Sequence, residues 1–360
     1  MALPAVRTLA DCADFSKTVV PFVPQFRSLS QQIPQALANP QQMRDLYLST
    51  NPLISAFVFS LLLFPIFLLV SEANKNYSQV DRMWSILPTV YNGHYAMWAR
   101  LHGMPTVRLD TLLVFTAIWS IRLTFNYWRK GGYSKGSEDY RWAYLRSKIS
   151  PTAFFIFNIL FISLAQSVLL FMITAPTYVL LLTSRMYVDG SELTDFVFSR
   201  ILAGLVLLEW FADQQQWTFQ QAKKEYLKTA KVPLGFEQED LDRGFVITGL
   251  WSWSRHPNFA AEQAIWLALY QWSCTVTGTL YNWSIVGALS YVILFQASTW
   301  FTESISSGKY PEYAEYQQRV GMFLPRMSTS IREVSGDRAR ENAARPTADV
   351  VKDTATKEKS

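Results

Sequence analysis

The fold is decided by residues 51–70, which read NPLISAFVFSLLLFPIFLLV. Fifteen of these twenty residues are apolar and none is charged. A helix needs about 20 mostly apolar residues to cross the hydrocarbon core of a bilayer. We therefore interpret this stretch as a membrane-spanning helix. The preceding segment 1–50 lacks the apolar block of a cleaved signal peptide, so the helix is expected to act as a signal anchor.

Further apolar stretches predict an all-α fold, a polytopic transmembrane helix bundle with six or seven spans. The charged fraction of the chain is 17%, below the value of about 25% usual in soluble proteins. The stretch 152–184 is too long for one crossing at about 1.5 Å per residue, and Pro176 predicts a kink, or a break followed by a short re-entrant piece. The other predicted spans are 109–128, 196–212, 259–273 and 283–301.

Basic residues indicate the orientation of the bundle. Segments 129–148 and 213–256 hold six Lys and Arg residues each, and ten follow Thr302. Connecting segments rich in Lys and Arg remain in the cytosol, so six spans place all three segments and both termini there. The net charge of +5 is thus explained by topology, and no nucleic-acid partner is expected.

This topology divides the chain into three parts. They are a cytosolic segment 1–50, a membrane-embedded domain 51–325, and a polar cytosolic tail 326–360 that we expect to be disordered. Two cysteines and three histidines give neither a disulfide framework nor a metal-ligand spacing, so no metal is expected. The aromatic stretch 81–100 either lies on the membrane surface or folds back into the bundle.

Ionisable residues inside apolar helices are costly, and they are candidates for function. Arg122, Glu209, Glu262 and Glu303 all lie within or at the edge of apolar stretches. The alternatives are that Arg122 pairs with an acid, or that such side chains reach the membrane interface. A polar stripe also follows Glu209, because polar side chains recur at helical spacing at Asp213, Gln216 and Gln220.

The segment 251–262, WSWSRHPNFAAE, has features of a phosphate site. Pro257 suits the first turn of a helix, so Arg255 and His256 would lie at its start, beside free backbone N–H groups and the positive end of the dipole. Asn258 and Glu262 are four residues apart and share one helical face. The alternative is an aromatic and basic membrane anchor, which explains the tryptophans and the arginine but not the acid.

A third group of residues follows the last predicted span. Tyr310, Tyr313 and Tyr316 recur every three residues, and Arg319 comes after them. Tyrosine and arginine together can stack against a flat ring and pair with a phosphate. Tyrosines are also common at membrane interfaces, so either interpretation is open at this point.

These motifs resemble a known family. The run 254–262, with Glu303 and the segment 309–316 (KYPEYAEY), is similar to the C-terminal half of the steroid 5-alpha-reductase superfamily, which includes sterol reductases and isoprenylcysteine methyltransferases. The segment 80–85 (VDRMWS) resembles the steroid oxidoreductase-like branch. The resemblance covers residues 78–325 and implies a membrane enzyme, usually of the endoplasmic reticulum, whose cytosol-facing C-terminal half holds a cofactor.

The superfamily contains NADPH reductases and S-adenosylmethionine methyltransferases. The reductase motif reads His-Pro-x-Tyr-x-Gly-Glu, and this chain retains the acid at Glu262. It departs at Phe259 and Ala261, and Phe259 removes a hydroxyl that could bind the cofactor. The resemblance therefore implies an NADPH-dependent reductase of a carbon–carbon double bond in a sterol or other hydrophobic lipid. The alternatives are a lipid methyltransferase and a non-catalytic membrane protein on the same scaffold.

The resemblance also implies site residues. A reductase of this kind needs an acid and a tyrosine on the N-terminal helices, and Asp81 could serve as the acid unless it pairs with Arg82. The implied catalytic residues are Asp81, Tyr91, Tyr127 and Glu262. The implied cofactor-binding residues are Asp213, Arg255, His256, Asn258, Glu262, Tyr310, Tyr313 and Arg319.

Overall fold

The regular structure of the protein is helical in the computed structural model, which describes residues 2–186 and 193–326. Within these ranges there is no strand, and an isolated bridge pairs Ser254 with Gly321. The predicted all-α class is confirmed. The predicted tail 326–360 lies outside the described residues, apart from Arg326.

The chain divides into two compact units. The first comprises Met1–Trp210 and Ala261–Thr302, and the second comprises Phe211–Ala260 and Glu303–Ser360. The α-helices, in chain order, are α1 (Phe15–Thr18), α2 (Val23–Ala36), α3 (Pro40–Ser49), α4 (Pro52–Asn74), α5 (Gln79–Met83), α6 (Leu87–Leu101), α7 (Val107–Arg129), α8 (Tyr140–Arg146), α9 (Pro151–Phe157), α10 (Gln166–Met172), α11 (Ala175–Thr183), α12 (Leu193–Thr229), α13 (Gln238–Arg243), α14 (Pro257–Thr277), α15 (Ile285–Lys309) and α16 (Tyr313–Arg319).

Helix α4 is the first predicted span. It begins where the Asn51 side chain accepts the backbone N–H of Leu53 at 2.9 Å, and Pro52 occupies its first turn. By length and composition α4 can cross a membrane, as can the run Pro151–Thr183 and helix α15. The chain therefore has three helices of membrane-spanning character within the described ranges, and the six- or seven-span topology stays a prediction.

The long third stretch is broken where the sequence predicts. Helix α10 ends at Met172, and α11 begins at Ala175 with Pro176 in its first turn, where a missing N–H costs no hydrogen bond. A π-helical segment, Asn158–Ala165, precedes α10. Every residue of α11 is buried, so this short helix belongs to the interior of the first unit.

The aromatic stretch after α4 folds back into the first unit. Helix α6 buries Tyr91, Tyr95 and Trp98, each at most 1% exposed. These residues recur at four and three positions, so they form one face of the helix. Of the two predicted arrangements, folding back into the bundle is the one that the protein adopts.

Candidate functional site

Glu262 lies at the centre of a buried hydrogen-bond cluster in the first unit. Its Oε2 accepts the indole N–H of Trp119 at 2.9 Å and Nη2 of Arg122 at 3.4 Å. Its Oε1 accepts the indole N–H of Trp266 at 2.9 Å and the hydroxyl of Tyr291 at 2.7 Å. A carboxylate removed from water needs several donors to offset its lost hydration, and these four side chains supply them.

Arg122 connects this cluster to a second acid. Its Nη2 lies 3.0 Å from Oε2 of Glu209, and these two side chains are 5% and 1% exposed. Arg122 on α7 therefore contacts acids on α12 and α14. Of the alternatives that the sequence leaves open for Arg122, pairing with an acid is the one observed, with Glu209 and Glu262 as the partners.

Tyr91 presents a buried hydroxyl in apolar surroundings. It is 1% exposed, and its ring lies 5.9 Å from that of Phe59 and 5.7 Å from that of Phe171. Among the described residues the hydroxyl has no hydrogen-bond partner. The great majority of buried polar groups in proteins are hydrogen-bonded, so this hydroxyl is a candidate donor, a property that Tyr95 and Trp98 of the same helix share.

Asp81 is held by a tryptophan and not by the adjacent arginine. The indole N–H of Trp142 donates to Asp81 Oδ2 at 2.9 Å. Arg82 donates instead to Gln79 Oε1 at 3.1 Å and to the carbonyl of Ser137 at 2.8 Å. Burial raises the pKa of Asp81, and the opposing charge of Arg141 does not cancel this effect. The acid is therefore suited to retain a proton.

We expect Asp81→Asn to raise the melting temperature at neutral pH. A carboxyl whose pKa is raised by folding stabilises the protein fully below its unfolded pKa of about 3.9, and this stability is lost as pH rises through the folded-state pKa. Asparagine stays neutral, and its carbonyl can still accept the Trp142 N–H. Thermal melting of both proteins across this pH range should show a difference that disappears toward about pH 4.

The matched control for this prediction is Asp110→Asn. Asp110 is half-exposed and pairs with Arg100 at 2.7 Å, so its replacement should change the melting temperature little at any pH. An equal gain from Asp81→Asn at acidic and neutral pH would show that ionisation of this half-buried carboxyl is not the cause.

Tyr127, the fourth predicted catalytic residue, packs edge-on against Tyr133 with ring centroids 5.0 Å apart. A Cβ at Gly132 would lie 2.3 Å from Tyr127 Cε1, so the ring occupies space that only glycine leaves. All four predicted catalytic residues belong to the first unit.

Arg255 is held by a buried network in the second unit. Its Nε and Nη2 donate to the two carboxylate oxygens of Glu303 at 2.7 and 2.9 Å. Its Nη1 donates to the carbonyl oxygens of Gln317, at 3.0 Å, and Val320. His256 Nε2 lies 2.8 Å from the same Glu303 carboxylate. These contacts use most of the donors of the guanidinium group.

The backbone at this helix start is also occupied. The N–H groups of Arg255 and His256 donate to the carbonyl oxygens of Gly321 and Met322 at 2.9 and 3.1 Å. The sequence predicted that free N–H groups would be available to a phosphate here. They instead join the segment before α14 to the segment after α16, as does the bridge between Ser254 and Gly321.

A second polar group of the same unit combines Asp213 and Asn258. The Asn258 amide donates to Asp213 Oδ1 at 3.1 Å. Gln216, one turn after Asp213 on α12, has a buried side-chain oxygen that no hydrogen bond satisfies among the described residues. The polar stripe that follows Glu209 therefore contains an unsatisfied hydrogen-bond acceptor on Gln216, one turn from the pair formed by Asp213 and Asn258.

The predicted tyrosine group also lies in the second unit. The rings of Tyr310, Tyr313 and Tyr316 surround Phe245 at centroid distances of 5.6, 5.1 and 5.4 Å. Lys223 donates to the Tyr310 hydroxyl at 3.1 Å. Burial alone would raise the pKa of Tyr310, but the hydrogen bonds from lysine lower it overall. This group brings a cation and aromatic faces together.

Arg319 pairs with Glu315 at 2.8 Å, one turn earlier on α16. All predicted cofactor residues except Glu262 thus belong to the second unit. The sequence reasoning missed Lys223 and the tryptophans that bind Glu262. Trp266 follows Glu262 by four residues and Trp119 precedes Arg122 by three, so helical spacing could have indicated both.

The chain is similar to known protein sequences. A family model described as "Protein of unknown function (DUF1295)" matches residues 67–320, a range that contains every predicted site residue. An uncharacterised protein of Schizosaccharomyces pombe is 36% identical over 339 residues, which cover 94% of this chain and 97% of the relative. No solved structure matches the chain.

Proposed function

The chain belongs to the DUF1295 family, and we propose that it is an NADPH-dependent membrane reductase of a carbon–carbon double bond in a sterol or other hydrophobic lipid. The observation that carries the proposal is the buried hydroxyl of Tyr91, which has no hydrogen-bond partner among the described residues. A reductase of a double bond conjugated to a carbonyl needs such a donor, because negative charge develops on the carbonyl oxygen.

The six-span arrangement with segment 1–50 in the cytosol does not fit this fold, because the Asn76 amide, just after α4, donates to the carbonyl of Ser137 in the basic segment 129–148 at 2.8 Å. The proposed topology places this basic segment and the C-terminus in the cytosol, in the membrane of the endoplasmic reticulum. Its support is the charge pattern, since the segments 129–148, 213–256 and the region after Thr302 carry the basic residues. The second unit contains the last two of these segments, 213–256 and the region after Thr302. In this topology a nucleotide from the cytosol meets the second unit.

The side chains of the second unit are chemically suited to a nucleotide. Gln216 offers a buried acceptor, and Asp213 and Asn258 offer an acceptor and a donor, the groups that ribose hydroxyls and an amide require. Lys223 supplies a positive charge for a phosphate. A Cβ at Gly244 would lie 2.9 Å from Lys223 Nζ, so glycine keeps the backbone close to this cation.

Roles for the remaining cofactor residues follow their contacts. Tyr310 and Tyr313 would offer aromatic faces to a flat ring, and Arg319 a second charge for a phosphate. In our proposal Arg255 acts as a positioning residue that fixes His256 through Glu303. NADPH, when bound, supplies the hydride.

The first unit supplies the remaining chemistry. Tyr91 donates a hydrogen bond to the substrate carbonyl, which stabilises the enolate oxygen after the β-carbon accepts a hydride. Asp81, whose pKa is raised by burial, holds the proton that the α-carbon then accepts. Tyr127 is the second candidate hydroxyl, and Glu262 is the acid that holds Arg122, Trp119 and Tyr291 in place.

The proposal predicts that NADPH stabilises the purified protein through Asn258. Asn258→Ala removes one amide that the cofactor would use, so we expect NADPH to bind about tenfold more weakly, the equivalent of one hydrogen bond. Thermal-shift titrations of both proteins measure the change. The matched control is Gln318→Ala, an exposed position of the same unit. Equal NADPH affinity in all three proteins would remove Asn258 from the site.

A further inference from the structure

The second unit contains a cavity of about 220 Å³ beside α12. Its walls come from α12, from α13 and from the chain segments on either side of α13. Pockets that enclose a whole drug-sized ligand usually measure about 300 to 1,000 Å³. This cavity is therefore suited to one ring system of a larger ligand.

The cavity has aromatic walls. Phe219, Phe236 and Phe245 line it, and the rings of Phe219 and Phe236 meet edge-on with their centroids 6.3 Å apart. Aromatic side chains bind flat heteroaromatic rings by stacking, and a nucleobase offers such a ring. The walls therefore fit a flat aromatic occupant.

Polar groups account for most of the surface that these walls expose. Asp240 and Thr248 are the polar side chains among the lining residues. The Asp240 side chain is 13% exposed, and its Oδ1 accepts Nη1 of Arg243 at 2.6 Å. A carboxylate accepts about four hydrogen bonds, so Asp240 can also accept an amino group, and the Thr248 hydroxyl can donate to a ring nitrogen. Adenine carries both of these groups, whereas an aliphatic chain carries neither.

Lys223 places a positive charge at the edge of this cavity. It follows Phe219 by one turn of α12, and its Nζ donates to the carbonyl oxygen of Gly244 at 2.8 Å. Gly244 directly precedes Phe245, so the ammonium group lies near two of the three aromatic walls. Because ammonium groups bind phosphates, a pocket for a flat ring with this lysine beside it suits a nucleotide.

The order of residues along α12 gives the direction of the nucleotide. Asp213, proposed above to meet a ribose or an amide, precedes Lys223 by ten residues, about 15 Å of helix, and Phe219 lies between them. A dinucleotide whose base contacts Phe219 and whose nicotinamide half extends toward Asp213 has its pyrophosphate between these two residues. Lys223 lies on the opposite side of the base, where the 2′-phosphate of the adenosine ribose can reach it.

We propose that the cavity binds the adenine of NADPH and that Lys223 binds the 2′-phosphate. This assignment rests on the proposed function, because it names the residues that hold the adenosine end of the cofactor. The 2′-phosphate is the group that NADH lacks. Lys223 therefore determines the preference for NADPH.

Binding titrations of the detergent-purified, full-length protein test the cavity. The ligands are NADPH, NADH, adenosine 2′,5′-bisphosphate and reduced nicotinamide mononucleotide, which lacks the adenosine. Phe236→Ala removes one aromatic wall, so we expect NADPH and the bisphosphate to bind about tenfold more weakly, and the mononucleotide to bind as to the wild type. The matched control is Leu234→Ala, at a fully exposed position outside the cavity, which should bind all four ligands like the wild type.

Two further variants separate the phosphate contact from the cavity. Lys223→Gln should weaken NADPH binding at least about tenfold, the value of one charge-assisted hydrogen bond, and leave NADH binding unchanged. Lys224→Gln removes an exposed charge from the next residue of α12 and should change neither affinity. Thr248→Val replaces the hydroxyl with a methyl group and should weaken NADPH and bisphosphate binding about two- to tenfold, which tests the cavity if Phe236→Ala does not fold.

Wild-type NADPH affinity in Phe236→Ala and Thr248→Val, measured on folded protein, would overturn the cavity assignment and leave the proposed function intact. An equal loss of NADPH and NADH affinity in Lys223→Gln would overturn the 2′-phosphate assignment, because the pyrophosphate is common to both. Binding of the bisphosphate that Phe236→Ala abolishes, without binding of NADPH, would instead overturn the proposed function and support an adenine site. Folded protein that binds none of the four ligands would overturn both.

Discussion

Replacement of Arg122 with leucine should destabilise the protein by about 3–5 kcal/mol, because the guanidinium group contacts two buried acids. Its Nη2 lies 3.0 Å from Glu209 and 3.4 Å from Glu262, and all three side chains are at most 6% exposed. Without the arginine, the carboxylates of Glu209 and Glu262 remain in the interior of the first unit and lose the positive charge that offsets their lost hydration. We expect a melting temperature that is lower by about 10 °C.

The control for this prediction is Arg100→Leu. Arg100 lies 2.7 Å from Asp110, a similar distance, but the side chain is 55% exposed. An exposed ion pair contributes about 0–1 kcal/mol, so this variant should melt close to the wild type. A second test combines Arg122→Leu with Glu209→Gln and Glu262→Gln, which removes both charges and should restore part of the loss. Equal melting of Arg122→Leu and Arg100→Leu would contradict the account.

Arg255→Ala should destabilise the second unit by a similar amount even when no nucleotide is present. The guanidinium group donates to both oxygens of Glu303 and to the carbonyl of Gln317, and it is 6% exposed. Its loss leaves the buried Glu303 carboxylate without its arginine and at least one carbonyl without a donor, at a cost of about 3–5 kcal/mol. Arg255→Lys should recover only part of this stability, because an ammonium group cannot form the two-pronged contact.

Thermal melting of the nucleotide-free protein measures this effect. Arg319→Ala is the matched control, because Arg319 makes a more exposed pair with Glu315 on a single helix. A nucleotide-free Arg255→Ala protein that melts like the wild type would show that the network is dispensable. Arg255 would then be better explained as a direct ligand of the cofactor.

The sequence predicts those features of the fold that depend on local composition. The apolar run at α4, with Asn51 and Pro52 at its start, fixes a helix by capping and hydropathy alone. Pro176 predicts the break before α11, since proline removes a backbone hydrogen bond and clashes with the preceding helical turn, although α4 continues through Pro65. The motif around Arg255 groups Arg255, His256 and Asn258, which lie in the second unit, with Glu262, which lies in the first.

The partners of those residues could not be predicted in the same way. Trp119 and Glu262 are 143 positions apart, and no local preference determines that they meet. Arg255 illustrates the same limit, because its charge is equally consistent with a phosphate site and with the pairing to Glu303 that the fold provides. The sequence shows the type of a charged side chain, but tertiary packing determines which residue pairs with it.

The most direct measurement is a thermal-shift titration of the detergent-purified protein with NADPH, NADH and S-adenosylmethionine in parallel. A ligand present at about 100 times its dissociation constant stabilises the folded state by about 2.7 kcal/mol. The account predicts stabilisation by NADPH and none by S-adenosylmethionine. Stabilisation by S-adenosylmethionine alone, or by none of the three in protein that is shown to be folded, would contradict it.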